Sequence, residues 1–337
     1  MSFDAAAQKP IGTRGAAVSR LGFGTSAFGA LTTIGGEAIV ADAMRAAKAA
    51  GLRYFDTAPF YGSGLAELRL GQGLHGTSRD DVTISTKVGR LFHADLSTCH
   101  DAASGARPFV MRYDYTYDGT MRSLEDSLVR LDTPRIDIAL IHDVNRRWQG
   151  DMLEQRYKEA MGGAYRALAK LRDEGVIKAI GVGVNDWEIL LRFAGDGDFD
   201  CFMLAGRYTL LDHTCVTRFM PECERRGIAV LAVAPYNSGI LVTGARPGAT
   251  FFYAEASADI MERTRRIEAV CDRHRVPLAA AALQLAAFHP AVASVVVGMR
   301  DANDLTQNVA HFAHPIEVDF WRELKDEGLL AHEAPTG

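Results

Sequence analysis

The chain has 337 residues, of which 48% are hydrophobic and 23% charged, with a formal net charge of -5. These are globular proportions, and the charge includes no Lys/Arg-rich run that would mark a nucleic-acid or anionic-membrane partner. No apolar stretch approaches the roughly 20 residues needed to cross a bilayer, and residues 1–13 lack the apolar core of a secretory signal, so a cytoplasmic protein is expected. Cys99, Cys201, Cys215, Cys223 and Cys271 form no CxxC pair and no metal spacing; they read as reduced packing residues, and no metal site is expected.

Short apolar runs alternate with amphipathic segments from one end of the chain to the other, the pattern of repeated β-α units. In chain order the expected strands are Leu21–Thr25, Tyr54–Thr57, Val82–Thr86, Ile136–Ile141, Ala179–Val182, Cys201–Leu204, Ile228–Ala234 and Ser294–Val297. Expected helices Glu37–Ala50, Tyr165–Glu174 and Val216–Arg226 each run into a glycine (Gly51, Gly175, Gly227), the residue preferred just past a helix C-terminus. Eight units without a Pro/Gly/Ser-rich linker predict one α/β domain over residues 1–337, a (β/α)8 TIM barrel, with flexible ends at 1–13 and 328–337. Residues 90–114, 143–157 and 237–256 exceed ordinary loop length. Because they follow the third, fourth and seventh strands, they are expected over the C-terminal face, where barrel enzymes place their sites.

Strand ends are therefore the place to look for chemistry. The second strand runs into Phe55-Asp56-Thr57-Ala58-Pro59-Phe60-Tyr61-Gly62, the third into Ser85-Thr86-Lys87-Val88 and the fourth into Leu140-Ile141-His142-Asp143. Asp56, Tyr61, Lys87 and His142 are expected to converge. A phenol of ordinary pKa near 10 is a poor base at neutral pH, and the Lys87 cation would favour its phenolate. Lys87, leaving an apolar strand, would tend to lose its proton unless Asp56 pairs with it. His142 can hydrogen-bond a substrate oxygen where charge develops, and Tyr61 can transfer the proton as general acid or base. Taken singly, Asp56 could cap a helix, Lys87 could snorkel and Tyr61 could be a rim aromatic.

Gly51 through Gly62, followed by Glu67 and the Leu70-Gly71 pair, resembles the aldo-keto reductase signature, and Lys87 and His142 stand at that family's other two catalytic positions. The likeness extends from Leu21-Gly22-Phe23-Gly24-Thr25 to Leu305-Thr306-Gln307-Asn308. It implies a barrel and an NAD(P)-dependent enzyme that binds its dinucleotide extended over the late strands, without the glycine-rich turn of a Rossmann fold.

The positions implied for that cofactor are Gly24, Thr25, Asp56, Asn185, Arg207, Tyr208, Pro235, Gly239, Leu241, Gly298, Arg300, Asp304 and Asn308. Residues 181–187 resemble the family's amide-binding segment with a glycine where serine is usual, which leaves Asn185 as the contact; Asn185 or Asp186 could also cap the following helix. Ala205-Gly206-Arg207-Tyr208 stands where many relatives have a glutamine, and Val233 or a neighbour where many have a stacking tyrosine. Asp304 aligns with an arginine common in NADP-dependent members. A carboxylate there repels a 2′-phosphate and can accept a ribose hydroxyl, so NAD is expected to be preferred and NADP remains possible.

Residues 114–128 and 206–212 resemble the branch containing D-threo-aldose 1-dehydrogenases and pyridoxal 4-dehydrogenases. That implies a small-molecule substrate, an aldose of the L-fucose, L-galactose or D-arabinose type whose cyclic hemiacetal is oxidised to a lactone, with a pyridoxal 4-dehydrogenase forming 4-pyridoxolactone or a general aldehyde or ketone reductase as the alternatives. Trp148 and Phe92 are plausible pocket walls. A metal-dependent sugar isomerase on the same barrel would need more clustered oxygen ligands than the His142-Asp143 pair, and a slow cofactor-binding regulatory subunit would not need all four catalytic groups.

Overall fold

The computed structural model describes residues 2–31, 35–94 and 108–336. Eight strands, β1 (Leu21–Gly24), β2 (Tyr54–Asp56), β3 (Thr83–Val88), β4 (Ile138–His142), β5 (Ala179–Val184), β6 (Cys201–Ala205), β7 (Ala229–Val233) and β8 (Val292–Gly298), pair in parallel and close into a barrel. All eight expected strands are there. The third and fourth extend one or two residues further toward the mouth than expected, so that Lys87 and His142 lie within the sheet rather than beyond it.

Helices cover the outside of the barrel. Helix Gly36–Ala49 ends at Ala50 and Gly51, whose φ of +75° a glycine supplies without strain, and Phe219–Arg226 is closed by Gly227 at φ +69°. The expected helix from Tyr165 begins earlier, as one continuous run with a wider-wound stretch at Ala160–Tyr165. Gly163 explains the close approach there, since a Cβ would stand 2.4 Å from the Tyr115 carbonyl oxygen.

Both chain ends, expected to be loose, are packed. Gln8–Ile11 pairs antiparallel with Ala16–Ser19, and this hairpin seals the bottom of the barrel: Ile11, Ala16 and Val18 join Tyr54, Ile138, Leu140, Met203 and Leu231 in one interior cluster. Burying these apolar side chains at about 25 cal/mol per Å² offsets part of the entropy of ordering the segment. At the other end Leu329, Leu330 and Ala334 are buried, and the Ala331 amide donates to His213 Nε2 at 3.1 Å. Cys201, Cys215, Cys223 and Cys271 are unpaired and buried; Cys99 lies outside the described residues.

The three long connections gather at the mouth. Arg90–Ala94 and Phe109–Tyr113 form a hairpin whose tip, residues 95–107, is outside the described residues. Residues 146–159 form short helical turns, and residues 237–255 contribute a turn, the short helix Ile240–Thr243 and a small hairpin carrying Phe252 and Tyr253.

Candidate active site

Side chains two apart on a strand share a face, and this period assembles the site. Asp56 pairs in register with Ser85, and Lys87 lies two residues further along β3, so all three point into the barrel. Lys87 Nζ donates to Asp56 Oδ1 and Oδ2 at 2.9 and 2.8 Å and to the Thr57 carbonyl at 2.9 Å. Ser85 Oγ donates to Asp56 Oδ1 at 2.7 Å and is itself 3.0 Å from Tyr54 OH. Both charged side chains are only 2% exposed. Burial pulls the Lys87 ammonium down, but Asp56 and Tyr61 outweigh it and hold Lys87 above the ordinary lysine value.

Tyr61 sits on the turn after β2, whose course depends on a contact between two glycines. Gly62 has φ +61°, and a Cβ on it would stand 2.4 Å from the Gly29 carbonyl oxygen. The phenol ring lies 4.8 Å from Lys87 Nζ and edge-on to His142. The sequence suggested that Lys87 would bring the phenol within reach of neutral pH. In the structure burial exceeds the opposing pull of Lys87, and the phenol is pushed up to about 12.

His142 ends β4, fixed by the Tyr115 hydroxyl, which donates to its carbonyl at 2.7 Å. Burial, with Arg90 and Lys87 nearby, holds the imidazole well below its ordinary value, so His142 is neutral at pH 7 and donates as an uncharged group. Asp143 follows, 3.5 Å from His142 Nε2 and paired with Arg90 at 2.6 Å.

These groups open onto a cavity of about 490 Å³ lined by Phe60, Tyr61, Lys87, His142, Trp148 and Met203, among others. Trp148 is a wall, as expected; Phe92 instead packs against Phe109 and the Arg130 guanidinium and lines none of the mouth cavities. An adjoining groove of about 350 Å³ shares Ser26, Ala205, Ala234, Tyr253 and Gly298 with the cavity and continues along Pro235–Gly239. A third, of about 520 Å³, runs past Asn185 to Arg207 and Phe252.

The residues expected to hold a dinucleotide divide by position. Asn185, Arg207, Pro235, Gly239 and Gly298 line this connected trough. Asp186 caps the helix Trp187–Asp196, which leaves Asn185 free of that task; its Oδ1 accepts from Asn145 Nδ2 at 2.9 Å. Gly298 keeps the floor open, since a Cβ there would stand 3.1 Å from Ser26 Oγ. Asn308 accepts from the Tyr236 hydroxyl, and Asp304 Oδ2 accepts from the Arg300 amide at 3.0 Å. Arg300 reaches sideways to Asp301 at 3.2 Å. Gly24 and Thr25 are buried and line none of the three cavities; Thr25 uses both its amide and hydroxyl, at 2.9 and 3.0 Å, on the Asp56 carbonyl. Tyr208 and Leu241 are buried side chains that line none of the three cavities; the Tyr208 ring turns edge-on to His289.

The trough fits an extended dinucleotide at its open glycine floor and along residues 235–239. Among the described residues no group of three or more His, Cys, Asp or Glu could hold a metal ion.

Sequence reasoning missed Ser85, Arg90, Asn145 and Tyr253. Ser85 was detectable, because it shares the alternation of β3 with Lys87. Arg90 opens a hairpin outside the barrel sheet, and Asn145 and Tyr253 come from turns, so the barrel strands' alternation does not say which way these side chains point.

The mouth of this barrel brings together a phenol, a paired buried lysine and a neutral histidine, a set of groups able to move a proton. The family model for aldo/keto reductases matches residues 20–327, and the chain belongs to that family of NAD(P)-dependent oxidoreductases. It is 38% identical to a pyridoxal 4-dehydrogenase of Microbacterium luteolum, over 98% of this chain and 100% of that protein. It is 35% identical to a D-threo-aldose 1-dehydrogenase of a Pseudomonas species, over 94% of this chain and 96% of the relative. In fold it resembles an aldo-keto reductase of Bacillus halodurans in its holo form, with a TM-score of 0.72 at 23% identity and 95% of each chain covered.

Proposed function

We propose that this enzyme oxidises the anomeric hydroxyl of a cyclic hemiacetal to a lactone, with an aldose of the L-fucose, L-galactose or D-arabinose type as substrate and NAD as preferred acceptor. Carrying the reading is the opening of Tyr61, Lys87 and His142 onto one cavity with aromatic walls, Phe60 and Trp148, suited to the apolar face of a ring. The two named relatives act on substrates that can both present such a hemiacetal, so one mechanism serves either.

In that mechanism His142 donates a hydrogen bond to the anomeric oxygen and fixes it beside Tyr61, which takes the hydroxyl proton. Lys87, kept charged by Asp56, stabilises the phenolate that Tyr61 becomes on releasing its own proton. A bound oxidised nicotinamide would supply the hydride acceptor for the anomeric carbon and a positive charge that would favour the phenolate of Tyr61. Asn185, Pro235, Gly239, Gly298 and Asn308 would hold the dinucleotide. Gly24, Thr25 and Asp56 are buried without lining the trough, and Arg207 borders it.

The NAD preference rests on Asp304, with Asp301 nearby, carboxylates that would repel a 2′-phosphate, and on the Arg300 side chain drawn to Asp301. Absorbance of reduced nicotinamide, followed with NAD or NADP and L-fucose, L-galactose, D-arabinose and pyridoxal, tests the whole reading. Sugar turnover with NAD supports it. Turnover of pyridoxal alone makes the enzyme a pyridoxal dehydrogenase, and equal or better kinetics with NADP removes the cofactor assignment.

A further inference from the structure

Asp143 combines several features that disfavour folding. Its φ is +57°, a left-handed conformation uncommon outside glycine though best tolerated by Asp and Asn. Its carboxylate is buried in the cavity wall. Its counterion, Arg90, keeps Nε and Nη1 buried without a hydrogen-bond partner, although the guanidinium stacks 3.9 Å from the Phe60 ring and 4.9 Å from Tyr113. Unpaired buried donors and a strained backbone persist where the surroundings enforce them for a task.

Geometry narrows that task. Arg90 Nη2 holds Asp143 Oδ2 at 2.6 Å, and His142 Nε2 lies 3.5 Å from the same oxygen. Oδ1 accepts no hydrogen bond among the described residues and belongs to a side chain that lines the catalytic cavity. Arg90 is too deeply covered by Phe60, Tyr113 and Trp148 to serve a ligand itself. Its charge instead immobilises, through Oδ2, a carboxylate that follows His142 in the chain and lines the same cavity, with Oδ1 left to accept from a ligand.

We infer that Asp143 is a specificity-determining residue that accepts a hydrogen bond from a substrate hydroxyl beside the reacting carbon, while His142 holds the reacting oxygen. The inference deepens the hemiacetal reading and rests on it for the substrate. An aldose carries such a hydroxyl on the carbon adjacent to the anomeric one. Deoxy analogues leave the carboxylate desolvated and unpaired, and a site built to pair with a hydroxyl rejects the analogue that lacks it.

The test compares kcat/KM for wild type and Asp143→Asn on two substrate pairs: L-fucose against 2-deoxy-L-fucose with NAD, and lactaldehyde against propanal with NADH. Asparagine tolerates the left-handed backbone, and Asp143→Glu retains the Arg90 pair while displacing the free oxygen, so a variant remains informative if one folds poorly. Wild type should prefer the hydroxylated member about 10- to 100-fold, as expected for a hydrogen bond to a charged group. Both variants should bring the ratio close to unity. Equal losses on both members of a pair, or no wild-type preference, would overturn the assignment. If wild type turns over no hemiacetal yet shows an Asp143-dependent preference for lactaldehyde, the hemiacetal reading fails and the role of Asp143 stands.

Discussion

Replacing Asp56 with asparagine should destabilise this protein more than removing the ion pair altogether. Lys87 Nζ lies 2.8 Å from Asp56 Oδ2, and both side chains are 2% exposed. At that separation and an effective dielectric of 20, attraction between unit charges is about 6 kcal/mol. Desolvating the two ions costs several kcal/mol each, so the pair is close to neutral for folding. Asp56→Asn removes the attraction and leaves the ammonium buried, a loss of about 3–5 kcal/mol. The double variant Asp56→Leu, Lys87→Met discards the desolvation cost together with the attraction and should lose no more than about 2 kcal/mol.

Urea unfolding of wild type, Asp56→Leu, Lys87→Met and the double variant closes the cycle, with Asp56→Asn measured beside it, and turnover should be largely lost in every variant. A single-variant loss below about 1 kcal/mol, or simple additivity of the two single losses, would refute the argument. The pair also carries a pH signature. Lys87 is raised in the folded state, so its stabilisation is complete below the unfolded lysine pKa of about 10.4 and is lost only as pH climbs through the higher folded value.

Tyr61→Phe should reduce kcat by about 10²–10⁴-fold with dinucleotide affinity retained, measured by protein fluorescence; unchanged turnover would remove Tyr61 as the proton-transfer group. Because the phenol is pushed up to about 12, hemiacetal oxidation should accelerate as pH rises from neutrality, whereas aldehyde reduction, which uses the phenol as acid, should not. Burial raises the Asp143 carboxyl to about 6 against the opposing charges of Arg90, Lys87 and Arg147. The carboxylate is therefore lost as pH falls through about 6, and kcat/KM for hydroxylated substrates should show an acid limb there that Asp143→Asn abolishes. Gly62→Ala should destabilise by about 1–3 kcal/mol through strain at φ +61° and contact with Gly29, and should impair kcat by moving Tyr61; a thermal melt and turnover assay check both.

The sequence by itself determined the eight barrel strands and pointed to Asp56, Tyr61, Lys87 and His142 as side chains that converge at the mouth, because both are written in local patterns. Strand period, helix-ending glycines and residues at strand ends all follow from backbone geometry a few residues long. Tertiary structure decided what those groups experience. Lys87 beside Tyr61 implied a phenolate within reach, yet how far burial opposes the ammonium depends on the side chains that the folded chain brings around the ring, Phe60 and His142 among them. Ser85 on Asp56 required the register between β2 and β3, and the Arg90–Asp143 pair required a hairpin and a strand end 53 residues apart to meet. The N-terminal residues looked like a loose end, since nothing local in Gln8–Ser19 shows that Ile11, Ala16 and Val18 close the barrel floor. Such contacts join residues distant in sequence, and their energy comes from excluding water across elements, which no local pattern records.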